Sequence, residues 1–172
     1  KKADKIENII GDHNLKNCGA AISAAETIGI SRESSTKALG KFLGVKRRLE
    51  RIKSKNFILY DDFAHHPTAI AASIKALREK HRNVKLNAFF EIRSNSMVEG
   101  THKDCFLKSF IGADNIFIYC EKNIEWLKAL PNIDLFNDID LVINKIKSST
   151  ENVDIVILMS NGDTTYIIDK LK

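Results

Sequence analysis

Apolar residues at Leu15, Cys18, Ile22 and Ala25 recur at i, i+3, i+7 and i+10, one face of a helix that Gly11-Asp12-His13-Asn14 opens and Ile28-Gly29-Ile30 ends. Ser31 is a good N-cap for a second helix, with Ala38, Leu39, Phe42 and Leu43 as its buried face and Gly44 as its close. From about Val45 the period changes to short β-prone runs alternating with helical stripes, which predicts a parallel sheet with crossover helices and hence an α/β fold class. The predicted strands are Leu49 to Ile52, Phe57 to Asp61, Val84 to Glu91, Asn115 to Cys120, Ile133 to Phe136 and Val153 to Met159. The predicted helices are Pro67 to Lys80, Lys103 to Ile111, Ile124 to Leu130, Asp138 to Lys147 and Thr164 to Leu171. The clearest follows Asp138, a cap for the stripe Ile139, Val142, Ile143 and Ile146. Ile6 to Ile10 is a short stretch without its own partner, so the chain reads as cut from something longer.

Composition narrows the class. A chain of 172 residues, 44% hydrophobic and 28% charged, is that of an ordinary globular protein with a sizeable core. No apolar run reaches the roughly 18–20 residues of a membrane span, and the Lys-rich start leads into no signal-peptide core, so a cytoplasmic protein without membrane contact is expected. Cys18, Cys105 and Cys120 are odd in number and widely spaced, which argues against a disulfide framework or a zinc knuckle. The net charge of +5 is modest. The densest basic group, Lys46-Arg47-Arg48 with Arg51, Lys53 and Lys55, lacks interleaved aromatics and is followed by Glu50, Asp61 and Asp62. A solvated face or a mononucleotide phosphate site explains it better than nucleic-acid binding.

Three polar constellations sit at carboxyl ends of predicted strands, where open α/β sheets bind ligands. The first is Asp61-Asp62-Phe63-Ala64-His65-His66, between a strand and a helix that Pro67 starts. Two acids and two imidazoles can ligate a divalent metal, a strand-end carboxylate can accept from ribose hydroxyls, and an Asp and a His can simply cap backbone groups. The second is Arg93-Ser94-Asn95-Ser96, in which Arg93 offers a bidentate fork to a carboxylate or phosphate; a capped surface turn is the plain alternative. The third is Met159-Ser160-Asn161-Gly162-Asp163. Neither GxxxxGK[ST] nor GxGxxG occurs, so any ATP chemistry takes its phosphate cradle from outside these residues.

Gly11-Asp12-His13-Asn14-Leu15-Lys16-Asn17, Gly44-Val45-Lys46-Arg47-Arg48-Leu49-Glu50 and Asp61-Asp62-Phe63-Ala64-His65-His66-Pro67-Thr68, in that order and spacing, resemble the Mur ligases of peptidoglycan synthesis. With Phe90-Glu91-Ile92-Arg93-Ser94-Asn95-Ser96-Met97 and Met159-Ser160-Asn161-Gly162, the chain looks most like the branch that recycles the murein tripeptide L-Ala-γ-D-Glu-meso-diaminopimelate. The branch that adds L-alanine to UDP-N-acetylmuramate is the nearest alternative; it would carry Tyr-Gly where Phe63-Ala64 stands. Ile92 stands where the recycling branch usually has Pro, Val98 where Lys is common, and Asp163-Thr164-Thr165 where a Gly-rich run is expected.

The resemblance implies that residues 1–45 are the last helices of a central ATPase domain and residues 46–172 a C-terminal Rossmann-like domain, a mostly parallel sheet flanked by helices. The family's N-terminal and central domains, with the P-loop and the Mg²⁺ ligands, would then lie outside this chain, which alone is expected to be inactive. ATP and Mg²⁺ serve the implied reaction. The γ-phosphate activates the lactyl carboxylate of UDP-N-acetylmuramate as an acyl phosphate, which the amine of the murein tripeptide attacks. By the same resemblance His13, Asn14 and Asn17 lie by the adenine, Arg48 contacts the nucleotide and Asp62 binds the ribose. Ser160 and Asn161 fall on the nucleotide side, and His65 matches the histidine near the incoming amine. Phe63 falls on the substrate side, and Arg93, Ser94 and Asn95 match the place of the peptide's carboxylates. From other classes, a metal-dependent hydrolase or metal-binding module built on Asp61, Asp62, His65 and His66, or a non-catalytic nucleotide-binding module, remain as alternatives.

Overall fold

The computed structural model describes residues 9–172, so the Ile6 to Asn8 part of the apolar start lies outside the described residues. The chain divides into two compact units between Val45 and Lys46. The first contains α1 (Asp12–Thr27) and α2 (Arg32–Leu39). Helix α1 ends in a Schellman arrangement: Gly29, at φ 85°, donates to the Glu26 carbonyl and Ile30 donates to that of Ala25. Ser31 then caps α2, its hydroxyl accepting from the Ser34 N–H at 3.2 Å.

Cys18 and Ile22 of the α1 stripe are buried, whereas Leu15 is 51% exposed. The second helix differs from expectation. It stops at Leu39, so Phe42 and Leu43 leave its face, Leu43 is 87% exposed, and none of the helix's residues is buried.

The second unit is built on a six-stranded sheet in the order β1-β2-β6-β3-β4-β5. The strands are β1 (Glu50–Ile52), β2 (Ile58–Asp62), β3 (Leu86–Glu91), β4 (Asn115–Tyr119), β5 (Asp134–Phe136) and β6 (Ile155–Met159). Only the short edge strand β1 is antiparallel to its neighbour. Every residue of β3 and β6 is buried, as expected of central parallel strands covered on both faces.

The strand pleat sends alternate side chains to opposite layers. Leu59, Phe89, Phe117, Val156 and Leu158 share one cluster with Val142, Ile143 and Ile146 of α7 (Ile139–Ser149) and Ile167, Ile168 and Leu171 of α8 (Thr165–Leu171). On the other layer, α3 (Pro67–Lys80) buries Ile70, Ile74 and Leu77. There Phe90 meets Phe106 and Phe110 edge-on, with ring centroids 5.7 and 5.9 Å away. Asp138 caps α7 by accepting from the Asp140 and Leu141 N–H groups, and His66 caps α3 ahead of Pro67 by accepting from the Thr68 N–H.

Two connections differ from expectation. The helix predicted over Lys103 to Ile111 divides into α5 (Lys103–Phe106) and a 3-10 turn (Leu107–Phe110). One turn of helix, α4 (Asn95–Val98), lies where a polar turn was read. The remaining connection, α6 (Glu125–Lys128), is also a single turn. Its Trp126 ring packs against Phe106 and lies 3.0 Å from where a Cβ on Gly100 (φ 74°) would sit, so glycine is required there. No helix of the described residues is long and apolar enough to cross a membrane.

The strand order fixes where a site can form. The chain runs from β2 through α3 to β3 and outward to β5, then returns through α7 to insert β6 between β2 and β3. Asp62, Met159 and Phe90 therefore lie side by side, and the loops leaving β2, β6 and β3 emerge together.

Candidate functional site

Asp62 ends β2 with its carboxylate turned inward and 3% exposed. One oxygen accepts from the Leu49 N–H at 2.7 Å; the other accepts from the Ala64 N–H at 2.8 Å and the Ser73 hydroxyl at 3.2 Å. Burial pushes its pKa up, against the pull of the Ala64 and Leu49 N–H groups. Its partners reveal what it holds. Arg47 and Leu49 both have positive φ, 57° and 50°, a conformation that costs a residue with a Cβ about 1–2 kcal/mol. The Arg47 N–H donates to Glu50 Oε2 at 2.9 Å, and the Arg47 carbonyl accepts from the Phe63 N–H at 2.8 Å. Asp62 is thus the latch of a strained loop that presents Arg47 inward and Arg48 outward. Both guanidiniums lie over the Phe63 ring, at 5.2 and 5.6 Å.

Asp61 serves the start of α8 and the Arg47 loop. It is 3% exposed, accepts from the Thr164 hydroxyl at 3.1 Å, and pairs with Arg47 Nε at 3.3 Å without hydrogen-bond alignment. Arg47 Nη2 donates to the Ser160 carbonyl at 2.7 Å. Ser160, fully buried, donates its hydroxyl proton to Glu91 Oε2 and accepts from the Gly162 N–H at 2.7 Å. The other Glu91 oxygen takes Arg93 Nη1 at 3.1 Å. One polar network therefore runs across the crests of β2, β6 and β3. Arg93 keeps its side chain 53% exposed, beside a pocket of about 160 Å³ bordered by Val98, Tyr119, Glu121 and Lys122.

A family model described as Mur ligase, glutamate ligase domain, matches residues 47–162. The chain belongs to the Mur ligase family. It is 37% identical, over all of its length and 41% of the relative's, to a UDP-N-acetylmuramate–L-alanyl-γ-D-glutamyl-meso-2,6-diaminoheptandioate ligase of Haemophilus influenzae. It is 32% identical, over 96% of its length and 39% of the relative's, to a UDP-N-acetylmuramate–L-alanine ligase of Christiangramia forsetii. The crystal structure of a murein peptide ligase from Psychrobacter arcticus, 34% identical, matches 94% of this chain and 36% of that one with a TM-score of 0.69. The chain spans about two fifths of the length of the curated relatives it matches.

Within this Mur ligase unit, the structure gathers Arg48, Asp62, Phe63, His65, Arg93, Ser160 and Asn161 around neighbouring loops. His65 Nδ1 donates to the Phe63 carbonyl at 2.9 Å, since a carbonyl only accepts; the tautomer compatible with this bond carries its acceptor at Nε2. Asn161 Oδ1 is buried without a donor. Ser94 caps α4 without a side-chain bond, and Asn95 is exposed in that helix's first turn.

The oxygens of Asp62, the expected ribose contact, are turned inward, with Oδ1 accepting from two internal donors and Oδ2 from one. His13, Asn14 and Asn17 lie on α1 of the first unit, where Asn14 Nδ2 donates to the Ile10 carbonyl at 2.9 Å and Asn17 is exposed.

Among the described residues, Asp61, Asp62, His65 and His66 are not brought together as one ligand set. Asp61 and Asp62 face different internal partners, His66 spends Nδ1 on the Thr68 N–H, and no group of three potential ligands is assembled among the described residues. His102, distant in sequence, instead packs edge-on to His66 at 4.6 Å. Sequence reasoning missed Arg47, Glu91, Gly162, Thr164 and Ser73 as parts of the network. Glu91 carried a usable signal, as an acid closing an otherwise apolar strand.

Burial also pushes the Asp61 carboxyl up, despite the Thr164 hydroxyl and Arg47. The folded chain then binds that proton more tightly than the unfolded chain. The resulting stabilisation is complete below the ordinary Asp value of about 3.9 and is lost as pH rises through the raised folded value. Asp61→Asn is therefore expected to flatten the fall in stability going up from about pH 4. Urea unfolding followed by Trp126 fluorescence, at pH steps up to neutrality, checks this; an unchanged slope would remove Asp61 as its source.

Proposed function

We propose that this chain is the C-terminal part of an ATP-dependent ligase that joins UDP-N-acetylmuramate to the tripeptide L-Ala-γ-D-Glu-meso-diaminopimelate, in the recycling of peptidoglycan in the cytoplasm. One observation carries the reading: the exposed Arg93 guanidinium, fixed by buried Glu91 at the crest of β3 beside a small pocket, is a ready partner for a peptide carboxylate. The identity with tripeptide ligases along the whole chain supports the substrate class.

In this reading residues 1–45 are the last helices of the ATPase domain, and their His13, Asn14 and Asn17 face the adenine. Arg48 meets the nucleotide, with Ser160 and Asn161 on the same side. Asp62 serves the same side by holding the Arg48 loop. Phe63 and His65 border the incoming amine, with His65 Nε2 positioned as the group that takes a proton from it. Arg93, Ser94 and Asn95 receive carboxylates. ATP is a substrate that activates the lactyl carboxylate as an acyl phosphate. The P-loop and Mg²⁺ ligands belong to the part of the protein outside residues 1–172, so this chain alone turns nothing over.

The full-length protein, given ATP, UDP-N-acetylmuramate and the tripeptide, is expected to release phosphate. Turnover with L-alanine and none with the tripeptide would move the protein to the L-alanine ligases, a reading that the 32% identity to the Christiangramia forsetii enzyme keeps in play.

A further inference from the structure

We propose that Glu91 is a positioning residue for the incoming peptide, acting through Arg93 and set by the Ser160–Gly162 turn. The proposal rests on the reading of Arg93 as the partner of a peptide carboxylate. A carboxylate that is 7% exposed is costly to bury unless it is paired, and Glu91 is paired on both oxygens, with Arg93 Nη1 and with the Ser160 hydroxyl. Its partner Arg93 is half-exposed, so one Nη is held from below while the rest of the fork faces outward. Pairing offsets the cost of burying the acid rather than adding net stability, which leaves orientation as the effect of burying it.

Gly162 leaves the room in which the same guanidinium lies. A Cβ there would stand 2.9 Å from Arg93 Cδ and Nη1, closer than side-chain atoms approach. Ser160 sets both constraints at once, since its oxygen donates to Glu91 and accepts the Gly162 N–H. Its carbonyl meanwhile accepts from Arg47, in the loop of Arg48. The arginine that meets the peptide and the loop that meets the nucleotide are therefore registered on one buried serine.

Steady-state kinetics of the full-length ligase, with tripeptide and ATP varied separately, test this. Glu91→Gln keeps an acceptor for Ser160 and loses the charge beneath Arg93; it is expected to raise the tripeptide KM about tenfold and to leave the ATP KM within about twofold. In an Arg93→Ala background the same substitution is expected to add nothing. Gly162→Ala, which leaves Glu91 intact and displaces Arg93, is expected to raise the tripeptide KM in the same way. An unchanged tripeptide KM in Glu91→Gln, or an effect that persists without Arg93, overturns the proposal. Should the wild-type protein not use the tripeptide at all, the functional reading falls and the positioning is still decided by ¹⁵N-arginine spectra. Resolved, slowly rotating Arg93 Nη signals that merge in Glu91→Gln support it, and merged signals in both proteins overturn it.

Discussion

Replacing Asp62 by alanine is expected to destabilise the sheet unit by about 3–5 kcal/mol, because three buried donors lose their acceptor together and each orphaned donor costs about 1–3 kcal/mol. The sum is reduced because burying the carboxylate is itself unfavourable, as the upward push on its pKa shows. It is reduced further because the Leu49 N–H belongs to a loop with two positive-φ residues, whose strain of about 1–2 kcal/mol each is released as the loop relaxes once the latch is gone. Asp62→Asn is the informative partner variant. Its amide keeps one acceptor but turns an NH₂ toward either the Leu49 or the Ala64 N–H, so a loss of about 1–3 kcal/mol is expected. Urea unfolding read by Trp126 fluorescence gives both values, and hydrogen exchange at the Leu49 and Ala64 amides localises the change. A residue whose chief role is to bind a ribose would behave oppositely: Asp62→Ala would leave stability within about 1 kcal/mol and those amides protected, as for an ordinary surface substitution, while ATP binding weakened.

The same residue shows how far the sequence can be read. That β2 ends at the paired acids and that Pro67 begins α3 were both legible, because an apolar run, a turn and a proline are local signals. The α7 stripe was equally plain, with three of its apolar positions buried as the period requires. What local pattern cannot supply is direction at a strand end. Asp61 and Asp62 both point into protein, toward Thr164 and Leu49, because the start of α8 on one side and the loop before β1 on the other close over them.

Arg47 and Arg48 pose the same difficulty. Adjacent arginines differ in fate only because Arg47 takes a positive φ, which a β-prone basic run gives no reason to expect. Glu91 depends on Ser160, 69 positions later in the chain, and the two meet only because β6 inserts beside β3. The single turn α4 is shorter than one full repeat of an amphipathic stripe, and Gly40, two residues ahead of Phe42, ends α2 before its apolar face is complete.

Arg93 carries the largest expected effect on activity. Its fork is the exposed cation at the crest of the central strands, held at Nη1 and free to offer parallel donors outward. In the proposed full-length tripeptide ligase, charge-assisted bonds of about 1.5–3 kcal/mol to a peptide carboxylate, lost in Arg93→Ala, are expected to lower kcat/KM for the tripeptide about 100-fold, with the ATP KM within about twofold. Arg93→Lys keeps the charge but offers a single point donor and cannot span both Glu91 and a bidentate ligand, so only about tenfold of that loss should return. Arg93→Ala leaves the buried Glu91 carboxylate with the Ser160 hydroxyl alone and is expected to cost about 1–3 kcal/mol of stability, whereas Arg93→Lys, which keeps a cation there, should cost less than about 1 kcal/mol. The kinetic split is what separates the alternatives. A rise in the ATP KM with the tripeptide KM unchanged would assign Arg93 to the nucleotide phosphates, whereas a drop in kcat alone would place its contact in the transition state rather than in substrate binding.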